Sequence, residues 1–326
     1  MSERKSTCPY FSVVIPLYNK ENEIKRAIDS VLNQIFQDFE LIIVNDESTD
    51  NSLSVVEAIQ DTRIKIISQK NQGEYGARNT GILNSTAPYI AFLDGDDEWK
   101  PEYLETIRSL IEKYPDAGLY GTARLRVSDK NQQKSIVYGF NEGDEGIVDM
   151  PLYAFVKTRA GPISCSSAVV PRPVFNELGL FRPYSGAGGD WAMWTLIMLH
   201  YPLAYSAKLL SQINLIGENR LSCIPKNMQL HEHPVVTLIN SLPKDTIQKY
   251  KYKEHIPLLM DFANISLAQN WAETGGAGKD IREIICEVNN KSEFKKEIVY
   301  YTVLAYTPLR FRDLVGGCAR WLNRYM

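Results

Sequence analysis

Phe11-Ser12-Val13-Val14-Ile15-Pro16 is a short apolar run stopped by a proline, and it reads as a buried strand. Apolar residues then recur at helical spacing: Ile24, Ala27, Ile28, Val31 and Leu32. A second strand follows at Leu41-Ile42-Ile43-Val44, with a polar loop from Asp46 to Asp50 behind it. Leu53, Val56 and Ile59 predict another helix, Ile64-Lys65-Ile66-Ile67 a third strand, Glu74 to Leu83 a helix, and Tyr89 to Leu93 a fourth strand. Strand and helix alternate without interruption, which predicts an α/β fold with a mainly parallel sheet flanked by helices on both faces. In such sheets ligands sit beyond the carboxyl ends of the strands. Tyr18-Asn19, Asn45-Asp46 and Asp94 to Asp97 all fall at those ends.

Further along, Pro101 is expected at the first position of a helix, whose apolar face is Tyr103, Leu104, Ile107, Leu110, Ile111 and Tyr114. Residues 117 to 215 mix strands with glycine- and proline-rich loops, and the pattern from about 226 to the end is mostly helical. This predicts a two-part chain: an α/β domain over 1–225, with halves of about 1–115 and 116–225, and a helical C-terminal region over 226–326. The most apolar stretch, Trp191 to Ala207, is broken by Thr195, His200 and Pro202, so it reads as a buried helix running into a strand rather than a membrane span. Leu258, Leu259, Phe262, Ile265 and Leu267 predict a packing helix. At the C-terminus Arg310, Arg312, Arg320 and Arg324 alternate with Phe311, Leu314, Val315, Trp321 and Tyr325. Such a basic, aromatic helix fits a peripheral membrane contact and fits docking on the catalytic domain equally well.

Composition excludes some classes. The 326 residues carry a formal net charge of -3, without the basic excess of a nucleic-acid-binding protein. The five cysteines are scattered and never form Cys-x-x-Cys, so neither a disulfide framework nor a zinc site is expected. No apolar run near Met1 is long enough for a signal peptide. The expected location is the cytoplasm, with the inner face of the membrane as a peripheral variant. No Gly-x-Gly-x-x-Gly turn or Gly-rich triphosphate loop follows the first strand, where Leu17-Tyr18-Asn19-Lys20 stands instead. This excludes dinucleotide-dependent dehydrogenases and sugar nucleotidyltransferases.

Phe92-Leu93-Asp94-Gly95-Asp96-Asp97 places three carboxylates at a strand end. Two readings stand: a cation shared with substrate phosphates, or acids near the N-terminal dipole of the following helix. The second accounts for Asp97 or Glu98 but not for Asp94 and Asp96. In Asn45-Asp46-Glu47-Ser48-Thr49-Asp50, Asp50 reads as a helix cap, while Asp46 sits early enough to accept a hydrogen bond from a base or ribose. Arg78, in Gly76-Ala77-Arg78-Asn79-Thr80-Gly81, is open to two readings, a contact to phosphate or the base-binding pocket, or a surface salt bridge. Ala77 and Gly81 allow close helix packing.

Taken together, Ile-Pro-Leu-Tyr-Asn at 15–19, Ser30-Val31-Leu32-Asn33-Gln34, Ile-Val-Asn-Asp-Glu-Ser-Thr-Asp at 43–50, Gly-x-x-x-Ala-Arg-Asn-x-Gly at 73–81 and Phe-Leu-Asp-Gly-Asp-Asp at 92–97 resemble the inverting family 2 glycosyltransferases of GT-A (Rossmann-like) fold. The resemblance runs from about residue 11 to about 104. It implies that Pro16, Tyr18 and Asn19 line a nucleotide pocket, that Asp46 binds the base, usually uracil, and that Arg78 helps hold the nucleotide. It implies that Asp94 contacts ribose or metal and that Asp96 coordinates Mn2+ or Mg2+ bridging the diphosphate. A later block, Ser164 to Val170, Phe175 to Phe181 and Gly189-Asp190-Trp191, resembles the family's acceptor side and makes Asp190 the general base. The bland reading of Asp190, a helix N-cap, is compatible with that role. The implied partners are a nucleotide-sugar donor, with UDP-sugar first, and a glycan or lipid-linked glycan acceptor in cell-envelope polysaccharide synthesis.

The chain departs from the family pattern at four places. Asn45 replaces a frequent aspartate, Glu47 stands where glycine is common, and Gly189 stands where glutamate usually precedes the base. Asn214 and Ile216 stand where an arginine and a metal-side histidine are usual, with Arg220, His231 and His233 as nearby substitutes and the two histidines reading more naturally as a solvated pair beside Pro234. These departures keep a second reading open, a non-catalytic relative that binds nucleotide or glycan.

Overall fold

The computed structural model describes residues 8–158, 163–183, 188–215 and 233–273, together with Ile285, Cys286, Val288, Asn289 and Phe294. The first half of the chain runs β1 (Phe11–Leu17), α1 (Ile24–Leu32), β2 (Phe39–Asp46), α2 (Ser52–Glu57), β3 (Ile64–Gln69), α3 (Gly73–Asn84), β4 (Tyr89–Phe92), the two-residue β5 (Glu98–Trp99) and α4 (Tyr103–Lys113). Next come β6 (Leu119–Ser128), β7 (Asn131–Ser135), β8 (Glu145–Ile147), α5 (Pro151–Thr158), a 3-10 turn at Cys165–Ser167, β9 (Ala168–Pro171), α6 (Arg172–Leu178), α7 (Gly189–His200) and β10 (Leu203–Asn214). Three helices close the described part: α8 (Pro234–Ser241), α9 (Lys244–Lys249) and α10 (Ile256–Glu273).

The strands form one mixed sheet ordered β3-β2-β1-β4-β9-β6-β10-β5, with β7 on β6 and β8 on β10. The β3-β2-β1-β4 half is parallel, as the apolar runs predict. The central strands β1 and β2 are buried on both faces, so their residues are apolar in runs rather than in alternation: Val13, Val14 and Ile15, and Leu41 through Val44, are all fully buried, while the edge strand β3 is not. Strand order reverses at β1, because β2 and β3 lie on one side of it and β4 on the other. A crevice at the carboxyl end of β1 and β4 is the topological consequence. Close approach of α3 to the sheet depends on Gly81, where a Cβ would lie 2.2 Å from Val14 Cγ1. The apolar stretch after Trp191 is a helix followed by a strand, α7 and β10, as expected.

The expectation for Pro101 is corrected. α4 starts at Tyr103, and Pro101 sits in the turn before it, where the Tyr103 N–H bonds back to the Lys100 carbonyl at 3.1 Å. That early bond closes a tight turn and delays the helix by two residues.

Contacts divide the chain into two compact units, Met1–Tyr184 with Gly189–Arg220, and Ser185–Gly188 with Leu221–Met326. The boundary expected near 225, like Ile216, Arg220, His231 and the basic aromatic segment after 310, lies outside the described residues. In the second unit α10 buries Leu259, Phe262, Ile265 and Leu267 of the packing face predicted for it, with Leu258 half-buried. Among the described residues no helix is long and apolar enough to cross a membrane.

His233 is not half of a solvated pair. It is 4% exposed, and its Nδ1 accepts from the Val235 N–H at 3.1 Å, capping α8. Burial drives its pKa down to about 3, so the ring is neutral and carries no charge for a diphosphate.

Candidate active site

Two loops at the carboxyl edge of the sheet are stapled together. The Asn19 side-chain oxygen accepts from the Thr49 N–H at 2.8 Å, the Lys20 N–H donates to Ser52 Oγ at 2.7 Å, and Asp50 accepts from both Glu21 and Ser52 N–H groups. The cap expected at Asp50 is corrected by one position: Asn51 is the N-cap of α2, and Asp50 before it accepts from the first N–H of the helix. Asn19 adopts φ 51°, a left-handed conformation that asparagine tolerates better than most residues. Pro16 is half-buried at the end of β1, and Tyr18 stands 43% exposed beside it.

Asp46 closes β2 and is buried. Its Oδ1 accepts from Gln69 Nε2 at 2.7 Å and from the Gln72 N–H at 2.9 Å. Gln69 is held in turn by Thr80 Oγ1 at 2.5 Å. A chain of neutral partners thus fixes the carboxylate while its Oδ2 keeps no hydrogen-bond partner among the described residues. Glu47 has φ 65°, which explains why glycine suits that position best. Its carboxylate offsets part of the strain by accepting from the Asn71 N–H at 3.2 Å.

The three acids after β4 point to three different partners. Asp94 Oδ1 lies 2.7 Å from Arg78 Nη2. Asp96 Oδ2 lies 3.0 Å from Lys20 Nζ, so the loops after β1 and β4 are joined by an ion pair. Asp97 turns inward, taking hydrogen bonds from Ser166 Oγ at 2.5 Å and the Asn214 N–H at 3.0 Å. Burial, with Asp96 and Asp94 nearby, pushes its pKa well above the usual carboxylate range. Asp97 is thus a strut of the fold. Asn214 completes the strut, its Nδ2 donating to the Asp96 carbonyl at 3.0 Å.

Arg78 is not a surface salt bridge. It is 2% exposed on α3, reaching Glu74 at 3.2 Å as well as Asp94, with the Tyr75 and Phe181 rings 5.6 and 5.9 Å from its guanidinium carbon. Its Nε and Nη1 are buried without a hydrogen-bond partner among the described residues, which is costly unless an acceptor arrives.

Asp190 is the second residue of α7, which begins at Gly189, so the N-cap reading is corrected: the carboxylate sits inside the first turn rather than before it. Burial first, then the Glu74 charge, raises its pKa to about 6, against the pull of Arg78 and the Trp191 N–H. Asp94 adds to the upward shift, so the base candidate and the acids of the β4 loop feel one another. Gly189 is demanded by its surroundings: a Cβ there would lie 2.5 Å from Tyr75 Cζ. Sequence reasoning missed Lys20, Glu74, Tyr75 and Ser166. It also missed Asn79, which grips the Phe181 backbone with both ends of its amide, at 2.8 and 3.0 Å.

No group of three or more His, Cys, Asp or Glu among the described residues could hold a metal ion alone. Among the described residues, Asp94 and Asp96 each keep one carboxyl oxygen without a partner, the other being taken by Arg78 or Lys20. That donor set fits a hard cation that draws most of its ligands from diphosphate and water.

The matched family model is described as glycosyl transferase family 2 and covers residues 12–170. Residues 12–170 belong to that family. The matched region carries β1 through β9 but for one residue at each end, and every site residue named above except Phe181, Gly189, Asp190, Trp191 and Asn214. An uncharacterised glycosyltransferase of Nostoc is 34% identical over 206 residues, 61% of this chain and 60% of that protein. The Escherichia coli UDP-Glc:alpha-D-GlcNAc-diphosphoundecaprenol beta-1,3-glucosyltransferase WfgD is 38% identical over 115 residues, 35% of this chain and 46% of the relative. The chain therefore spans less than two thirds of either. Staphylococcus aureus TarS in complex with UDP-GlcNAc shares the fold at a TM-score of 0.64 and 16% identity, over 95% of this chain and 91% of that structure. This agrees with the GT-A architecture expected from the residues.

Proposed function

We propose that the protein is an inverting glycosyltransferase that moves a sugar from a UDP-sugar to a hydroxyl of a glycan or lipid-linked glycan. The observation that carries this reading is the convergence at one sheet edge of Asp46, Arg78, Asp94 and Asp96, with Asp190 electrostatically linked to them. Asp46 offers its unpartnered oxygen to the base, with Pro16, Tyr18 and Asn19 on the neighbouring loop. Arg78 offers two buried donors to an anionic part of the donor substrate. Asp96, with Asp94, would hold a divalent cation, which neutralises charge on the departing diphosphate.

Chemistry follows as a single displacement. Asp190 takes the proton of the acceptor hydroxyl as its oxygen forms the bond to the anomeric carbon. The bond from that carbon to the diphosphate oxygen breaks, and the nucleoside diphosphate leaves with the electron pair. No second carboxylate is needed. A base with a pKa of about 6 is mostly ionised at neutral pH yet still basic enough to accept a proton. Lys20 places its ammonium beside the site, 3.0 Å from Asp96. WfgD, by its name, adds glucose to a lipid-linked diphosphate sugar, which supports a cell-envelope acceptor for this chain as well.

UDP release from UDP-glucose and UDP-GlcNAc, with and without lipid-linked sugar acceptors, tests the proposal. Turnover that Asp190→Asn reduces by about 10²-fold or more supports it. Full turnover in that variant removes Asp190 from the mechanism, and no turnover of any nucleotide sugar by the wild type favours a nucleotide-binding relative without catalysis.

A further inference from the structure

The N-terminus of α7 has an unusual partner. The first N–H groups of a helix have no partner within it and must find one elsewhere. Here the Gly189 N–H donates to Tyr75 Oη at 2.9 Å, a buried hydrogen bond between residues 114 apart in sequence. The Tyr75 ring stacks on Phe181, with centroids 6.1 Å apart and planes 16° from parallel, under the Arg78 guanidinium. It also fills the volume that any side chain at 189 would need, with Cζ, Cε2 and Oη all within 2.9 Å of a Cβ built there. The next residue after this contact is Asp190.

We infer that Tyr75 is a positioning residue for Asp190: its hydroxyl pins the first turn of α7 and holds the Asp190 carboxylate in fixed register with Glu74 and Arg78 of α3. The inference rests on the transferase reading for the role of Asp190, but the brace itself does not. Gly189 and Tyr75 form one device, in which the glycine makes room for the ring and the ring supplies the acceptor. The charges facing Asp190 are Glu74 and Arg78 from α3 and Asp94 just beyond β4, with Arg124 of β6 a further contributor; Cys165 of the 3-10 turn also lies near, as a thiol that burial keeps neutral. Every one of these acts at a distance that depends on where α7 begins. A shift of that turn therefore moves the base relative to both acceptor and charge field, and small misplacements in a reacting pair cost large factors in rate.

Tyr75→Phe is the test, because it keeps the ring and removes the hydroxyl, which accepts from Gly189 and also bonds the Glu74 side chain. Two readouts are taken on the full chain: hydrogen–deuterium exchange of the amides from Gly189 to Met193, and the kcat and KM for UDP release from UDP-glucose or UDP-GlcNAc. The expected result is faster exchange at those amides, kcat lower by about tenfold and an unchanged KM for the donor. Gly189→Ala, which presses on the ring from the other side, is expected to lower kcat in the same way without weakening UDP binding. Unchanged exchange in Tyr75→Phe overturns the brace whatever the activity. Faster exchange with wild-type kcat overturns its service to the base. A wild-type protein that binds UDP but turns over no nucleotide sugar counts against the transferase reading instead, and the exchange result then decides the brace alone.

Discussion

Lys20 Nζ lies 3.0 Å from Asp96 Oδ2, and each side chain is 11% exposed. The carboxylate proposed for the cation thus already faces a fixed positive charge from the loop after β1. A divalent ion must share Asp96 with that ammonium, and the repulsion between them weakens binding. Lys20→Met is expected to raise the affinity for Mn2+ in the presence of UDP by at least about tenfold, since a charge contact at this distance is worth a few kcal/mol at an effective dielectric of about 20. Calorimetric titration with Mn2+ checks this, and an unchanged affinity contradicts competition at Asp96.

Asp190 ties activity to pH and stability in opposite directions. Its pKa is raised to about 6 from an ordinary value of 3.8, mainly by burial. A base must be ionised, so kcat is expected to fall about tenfold per pH unit below about 6 and to level off above it. For folding the sign is reversed: the raised pKa favours the protonated fold, so the ionised carboxylate costs stability in full above about pH 6 and nothing below about pH 4. Asp190→Asn is therefore expected to be inactive yet more stable at pH 7, by on the order of 1 kcal/mol, with the gain gone near pH 4. Urea unfolding at the two pH values measures it.

His233 works the other way. Its pKa is lowered to about 3 by burial, so the unfolded chain binds the proton more readily than the folded one between pH 6.5 and 3. Stability from this group is full above about pH 6.5 and is lost as pH falls toward 3. His233→Asn keeps a capping side chain at the start of α8 and removes the titration. It is expected to flatten the acid limb of the stability profile, which circular dichroism melts across that range detect.

Gly81→Ala is expected to destabilise the fold by about 1–3 kcal/mol, the usual cost of forcing extra volume into a close-packed core. The new methyl would meet Val14 Cγ1 at 2.2 Å, and Val14 is itself fully buried in the sheet. Denaturant unfolding of the variant checks the figure, and a second substitution, Val14→Ala, is expected to recover part of the loss.

The parallel half of the sheet was legible because burial on both faces writes itself into sequence as apolar runs, and those runs at Phe11, Leu41 and Tyr89 end in the polar residues that gather at the site. β7 was not legible, since Asn131 to Ser135 contains no apolar residue, and β5 has only two residues. Which acid does what was also hidden. Asp94, Asp96 and Asp97 look alike in sequence, and only tertiary contacts with Arg78, Lys20 and Ser166 separate them. His233 reads as solvent-exposed beside a proline, and nothing local reports the burial that neutralises it. Gly189 looks like a defect until Tyr75 is seen in its place.

Calorimetric titration of UDP into the wild type and Asp46→Ala, with and without Mn2+, tests the central claim most directly. The account predicts that UDP binds the wild type, binds more tightly with Mn2+, and loses at least about tenfold in affinity when the buried carboxylate held by Gln69 is removed, the usual scale of a charge-assisted hydrogen bond. Equal UDP affinity in both proteins, or no UDP binding under either condition, would contradict a nucleotide-sugar site at this edge of the sheet.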